Sequence, residues 1–282
     1  MSTNGPFLKR MKNIVLMFAF LAVCLFGVQP ANAIVLDWSN VTWTAGSLTG
    51  SFDIDPDNAG NDVTVTITGN TSRFFSSSYP QITDDFTGGL GSGTDQLDLY
   101  VDYSNTSQAI TVTVTFHYTA GVSDVEFTLF DVDTGAVTGK GKNPERAFVD
   151  QVRSITATAT NNTLVAPTIT VSNSTYAQTG GSGTNQTITG KDVANDFSSQ
   201  GSVGISFGTN TVSSFTFTYG EGAGSENDPF AQGIGLYDIS YKPKVPEFHP
   251  GLISAGVCLL LAGARRFPKL MLMNRENSNL SS

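Results

Sequence analysis

The sequence predicts an all-β domain, a two-sheet antiparallel sandwich, with an N-terminal signal peptide before it and a C-terminal transmembrane helix after it. Three observations lead there. Apolar residues recur at every second position, as in Val63, Val65 and Ile67 or Leu97, Leu99 and Val101; that period puts one face of a strand in a core and the other in water. No segment of the domain carries a 3.6-residue apolar stripe longer than two turns. Clusters of Gly, Ser and Asn at 86–94, 178–186 and 220–228 interrupt the alternation and read as loops. With 282 residues, 39% hydrophobic and 14% charged, the chain is apolar enough to bury a core and too weakly charged to stay disordered.

The first element is the signal. Lys9, Arg10 and Lys12 precede an apolar run from Ile14 to Val28, and Ala31-Asn32-Ala33 supplies the small-x-small site, so cleavage is expected after Ala33. Met11 is an alternative start, since the signal is complete without the ten residues before it. Residues 1–33 are therefore read as signal peptide and 34–241 as the exported domain.

About ten to twelve short strands are expected in that domain. Besides the two runs above, Val112, Val114 and Phe116 alternate with threonines, and Val203, Ile205 and Phe207 and then Phe215, Phe217 and Tyr219 repeat the pattern. Thr, Val and Phe suit a pleated, half-buried surface. Two strands change phase: apolar positions 125, 127 and 129 give way to 130 and 132, and 234 and 236 give way to 237, 239 and 241. A β-bulge at each place accounts for the switch. A jelly roll is the expected form of the sandwich.

Residues 242–282 form the tail. A polar, Pro-punctuated linker runs from Tyr241 to Glu247, and every residue from Pro250 to Ala264 is apolar or small. Counted from Phe248, a helix here spans about 25 Å, and Arg265 and Arg266 extend it by snorkelling. The basic residues set the orientation, with the tail inside and the domain outside. Cys24 and Cys258 lie in the two apolar segments, so the exported part contains no cysteine and needs no oxidising compartment.

Val245-Pro246-Glu247, a short apolar span and Arg265-Arg266, in this order, resemble the PEP-CTERM sorting signal of exported proteins in exopolysaccharide-producing Gram-negative bacteria. That resemblance implies a membrane tether, processing by an exosortase, and a final place on the cell surface or in the extracellular matrix. Phe248 stands where a second Pro is usual, and the chain continues for sixteen residues beyond Arg266. The run Phe127-Thr-Leu-Phe-Asp-Val-Asp-Thr-Gly with Gly233-Ile-Gly-Leu-Tyr-Asp-Ile resembles a surface-protein domain found with such tails, and its last strand is similar to the closing strand of jelly-roll carbohydrate-binding modules. The second likeness implies a structural Ca²⁺ held by Asp238.

Charge narrows the partners. Residues 34–247 hold 23 Asp and Glu against 8 Lys and Arg, a net −15, which repels nucleic acid and suits cations. Two cation candidates follow. Asp53, Asp55 and Asp57 alternate on a turn ending at Asp62, able to offer Ca²⁺ its oxygens, or simply a solvated Asp/Asn turn. Asp131, Asp133 and Asp238 lie at the phase breaks, where a buried carboxylate needs a cation, Arg153 or loop N–H groups. Catalysis finds little support: His117, the one histidine outside the tail, sits mid-strand on the Thr face, and no nucleophile or phosphate-loop motif occurs. For glycan stacking the candidates are Tyr100 and Tyr118, on the polar side of their strands, whereas core packing is expected for Trp38 and Trp43. The expected function is a non-enzymatic exported surface or matrix protein, with an exopolysaccharide-binding module as the alternative and a glycan hydrolase behind both.

Overall fold

The computed structural model describes residues 32–138, 140 and 144–244. They are all-β. Sixteen strands follow in order: β1 (Ile34–Leu36), β2 (Thr49–Phe52), β3 (Val63–Gly69), β4 (Gln81–Thr83), β5 (Gln96–Val101), β6 (Ala109–Phe116), β7 (Val122–Phe130), β8 (Asp150–Ala159), β9 (Leu164–Val165), β10 (Thr168–Val171), β11 (Ala177–Gly180), β12 (Thr187–Gly190), β13 (Val203–Ser206), β14 (Val212–Glu221), β15 (Gln232–Leu236) and β16 (Ile239–Pro243). The excess over the expected number comes from short strands such as β1, β4 and β9, too brief to show a period. Only short 3₁₀ turns interrupt them among the described residues.

All pairings between these strands are antiparallel and link into one curled sheet. One part runs β2–β3–β6–β14–β8–β12–β11; the other gathers β13, β16 and β15 against β7, with β5 and β4 beyond β15. In the first part Thr66, Thr113, Thr216 and Thr156 fall opposite one another across four strands, so the outer face is a Thr array while Val65, Val114 and Phe215 point inward. The core lies between the two parts. Phe127 of β7 stacks on Phe215 of β14 with ring centroids 4.4 Å apart, and Phe116 of β6 meets Tyr241 of β16 at 4.9 Å. Trp38, Trp43 and Phe52 form a second aromatic group with centroids 5.9–6.3 Å apart, and both tryptophans are buried, as core packing requires.

Both phase changes coincide with interruptions of the ladder. β7 ends at Phe130, and Asp131 takes a left-handed φ of 61°. β15 stops at Leu236, beside β5 and β7, and β16 resumes at Ile239 between β1 and β7. The register shifts themselves fall elsewhere: opposite β8 between Val212 and Ser214 and again between Thr216 and Thr218, where Ser154 has φ 53°, and opposite β7 between Ser240 and Lys242, where Asp124 has φ 52°. One expected loop is shorter than its composition suggests, since Ala177–Gly180 pairs fully with Thr187–Gly190 as β11.

Loops 84–95 and 191–202 close over the outer face of β5, β15 and β7. Thr87 N–H donates to Asp196 O at 3.0 Å and Val132 N–H to Gly201 O at 3.0 Å. Glycine lets the layers touch: a Cβ on Gly88 would lie 2.2 Å from the Phe130 ring, and one on Gly201 2.9 Å from Asp131 Cα. This roof makes the polar side of β5 an interior surface.

Candidate functional site

The Asp53–Asp62 turn is organised around Asp62, which is fully buried. Its Oδ2 accepts the N–H groups of Ile54 and Asp55, both at 2.6 Å, and its Oδ1 accepts Asn58 Nδ2 at 2.7 Å. Asp55 Oδ1 accepts Asp57 N–H at 3.1 Å, and its Oδ2 accepts the Tyr118 hydroxyl at 3.1 Å. Asp53 and Asp57 are exposed. The turn thus spends its inner carboxylate oxygens on its own N–H groups, the usual use of Asp and Asn in turns.

Asp131, Asp133 and Asp238 are not brought together. Asp238 is half-buried; its Oδ1 accepts Trp38 N–H at 3.1 Å, and its acidic neighbours are Asp37 and Asp95. Asp133 is buried beside Asp150. Asp133 Oδ2 accepts Ala194 N–H at 2.6 Å, while Asp150 accepts Asp133 N–H at 3.1 Å and the Tyr219 hydroxyl at 2.6 Å. Of the partners expected for these acids, loop N–H groups are the ones used; Arg153 instead donates to Gln151 Oε1 at 3.3 Å. Burial first, and then a neighbouring carboxylate in each case, Asp196 for Asp131, Asp131 for Asp133 and Asp133 for Asp150, hold these three carboxyls well above the usual carboxylate range. Arg146 touches the edge of this group, donating to Thr134 Oγ1 at 2.8 Å and pairing with Asp192 at 3.5 Å. Among the described residues no three His, Cys, Asp or Glu side chains converge closely enough to hold a metal ion between them.

The two tyrosines part company. Tyr118 packs edge-on to Tyr241, and its hydroxyl is engaged by Asp55 and by Tyr241 at 3.2 Å, so it ties the turn to the core. Tyr100 belongs to an open cluster: its ring centroid lies 4.8 Å from Phe75 and 5.4 Å from Tyr79, and Phe75 is 53% exposed. The segment before β4 is laid along β5 by Phe75 N–H to Tyr100 O at 3.0 Å and Asp102 N–H to Arg73 O at 2.7 Å, which brings the three rings together at 51–76° to one another. His117 is exposed, with Nε2 2.8 Å from Thr64 Oγ1 at the border of the Thr array.

Several polar residues in the interior were read in the sequence as wet or loop positions. Asp98 is 1% exposed, and burial with Asp85 and Asp131 nearby pushes its carboxyl up to about 8. Glu221 is buried with its carboxyl raised to about 7 by desolvation; Oε2 accepts the Ser225 hydroxyl and, at 3.3 Å, Val149 N–H. The one sequence sign of the buried β5 face was the glycine-rich stretch 86–94 together with Gly233 and Gly235, residues that let loops lie close on a sheet.

Ala33 is exposed and directly precedes β1. Ala31, Val245, Pro246, Glu247, Arg265 and Arg266, and with them the apolar segments of signal and tail, lie outside the described residues. Among the described residues no helix is long and apolar enough to cross a membrane. No protein family, curated protein or solved structure was found to match the chain.

Proposed function

We propose that this is a non-enzymatic exported protein of the cell surface or extracellular matrix, whose β-domain, a two-sheet sandwich of jelly-roll type, engages neutral polysaccharide. The observation that carries the binding is the Phe75–Tyr79–Tyr100 cluster. A flat ring stacks on the apolar face of a pyranose, and in this cluster of three mutually inclined rings, within 6.5 Å of one another, Phe75 stands open at the surface to offer such a face. The acid-rich domain disfavours anionic polymers, so a neutral glycan is the ligand class. Export is supported by the signal-like N-terminus, a cysteine-free domain and the PEP-CTERM-like tail, which together imply an inner-membrane tether, exosortase processing and delivery outward.

Affinity electrophoresis of the full-length protein through gels containing neutral glucans, galactans or mannans tests the binding. Retardation by at least one polymer is expected, with Tyr100→Ala and Phe75→Ala restoring free mobility and Tyr118→Ala leaving retardation in place. Equal mobility in every gel overturns the glycan reading. Export is tested separately: a mature protein whose N-terminal sequence begins at Met1 or Met11 instead of Ile34 overturns it, and Arg265→Glu with Arg266→Glu should disturb retention of the tail.

A further inference from the structure

Directly opposite Asp98 on β15 stands Gly235, and Gly235 in turn faces Phe130 of β7. With no side chain at Gly235, Gln96 leans across the space: a Cβ there would lie 2.6 Å from Gln96 Cγ. Gln96 and Asp98 are two residues apart on β5 and share a face. One hydroxyl anchors both. Thr83 Oγ1 donates to Asp98 Oδ2 at 3.4 Å and accepts Gln96 Nε2 at 3.2 Å. Thr83 lies on β4, so these anchored atoms are drawn to one side of β5. The opposite atoms, Asp98 Oδ1 and Gln96 Oε1, are buried and have no hydrogen-bond partner among the described residues. Above them runs the roof. Phe86 covers Gly233 and Gly88 sits on Phe130, and between these contacts Thr87 is 3% exposed with its Oγ1 likewise unpartnered.

Two buried oxygens on one side of β5 are thus left without donors, and a third, Thr87 Oγ1, is left without one in the roof that covers β15 and β7. Burying such a group unpaired costs about 1–3 kcal/mol, and more for a charged one. The charged neighbours of Asp98 are Asp85 and Asp131, both acidic, so the surroundings supply no compensating charge. Hard oxygen atoms around one carboxylate are the donor set of Ca²⁺, which completes six to eight ligands with water and loop carbonyls.

We propose that Asp98 Oδ1, Gln96 Oε1 and Thr87 Oγ1 form a binding site for a hard divalent cation of the Ca²⁺ type, which clamps the 84–90 roof onto β5 and β15. The site needs no cage of acids: one carboxylate and two neutral oxygens give a partly hydrated ion of moderate affinity. It lies apart from the Asp53–Asp62 turn and from Asp238.

The test is a thermal melt of the full-length protein in detergent, in CaCl₂ and then in EDTA. At a hundredfold excess over the dissociation constant a midpoint higher by roughly 5–10 °C in calcium is expected, with a smaller rise in MgCl₂, since Mg²⁺ keeps its waters. In melts run at pH 9, where Asp98 is ionised because its carboxyl is raised only to about 8, Asp98→Asn should lose the calcium response and melt in EDTA at or above the wild-type midpoint, because it removes an uncompensated charge; a merely structural loss would lower both melts. Gln96→Glu should lower the EDTA midpoint and enlarge the calcium response. Tb³⁺ bound at the site should luminesce on tyrosine excitation through Tyr79 and Tyr100, whose charge neighbours include Asp98, and excess Ca²⁺ should quench it. A wild-type midpoint identical in calcium and EDTA overturns the proposal, meaning the oxygens are satisfied by water. A response undiminished in Asp98→Asn overturns it too, because the ion then sits elsewhere.

Discussion

Replacing Asp62 by Ala should be among the most damaging single changes in this protein, although the residue lies in a surface turn rich in acids. Two charge-assisted hydrogen bonds to the N–H groups of Ile54 and Asp55, both 2.6 Å, and a third from Asn58, converge on its carboxylate. A hydrogen bond to a charged group contributes about 1.5–3 kcal/mol. Water can reach part of the vacated space, since Ile54, Asp55 and Asn58 are only half-buried, so the loss should stop near 3 kcal/mol instead of the full sum. That is a large share of a typical total of about 5–15 kcal/mol. For a domain of this size it corresponds to a midpoint lower by roughly 6–12 °C. Urea unfolding at 25 °C, followed by fluorescence of Trp38 and Trp43, is the assay, because Phe52 joins those rings to the turn. Asp57→Asn, an exposed change on the same turn, should stay within about 0.5 kcal/mol of wild type. If Asp62→Ala also falls within that margin, or if Asp57→Asn is the costlier change, the turn is not held by Asp62 and the account given of it is wrong.

Stability should fall as pH rises. Glu221, Asp133 and Asp150 have folded-state carboxyls raised above their ordinary values, so their contribution is fully present below about pH 4 and is lost as pH climbs through their folded values, near 7 for Glu221; Glu221 alone is worth about 3 kcal/mol at 1.36 kcal/mol per unit. Urea midpoints in EDTA should be higher at pH 5 than at pH 8, with Glu221→Gln narrowing the gap; a wild-type midpoint that rises with pH contradicts this. Gly190→Ala should destabilise by about 1–3 kcal/mol or prevent folding, since its Cβ would lie 1.7 Å from Asp133 O, whereas Gly183→Ala, which meets nothing within 4 Å but has φ 57°, should cost only about 1 kcal/mol. Thermal melts of the two variants side by side would expose an error in that ranking.

Strands were readable in the sequence because alternation is a local property: β3, β6, β13 and β14 lie where Val, Ile and Phe alternate with Thr, Ser or Gly. What covers the polar side of a strand is not local. Gln96, Asp98 and Tyr100 alternate with Leu97, Leu99 and Val101 like any half-wetted strand, and only the arrival of loops from either side, 84–95 and 191–202, turns that side inward. Tyr118 misleads for the same reason. It stands on the polar side of its run, but its hydroxyl is drawn to residues 63 and 123 positions away. Asp150 and Glu221 face each other at one end of the β8–β14 ladder, a pairing that no spacing along the chain announces. The open ring cluster was half visible: Tyr100 by its phase, Phe75 and Tyr79 not at all, since they belong to an irregular segment laid along β5.

The first and last strands of the domain are neighbours. Ile34 pairs with Tyr241 and Leu36 with Ile239, while the far side of β16 is bonded to β7, and Lys244 N–H reaches Gly121 O at 2.9 Å. The consequence is mechanical. A pull on the chain at Lys244 must break two ladders at once, because β16 is clasped on both sides. A pull at Ile34 opens only three paired residues along one side of β1. The domain is therefore built to resist force from its C-terminal end, the end at which the proposed tether would pull.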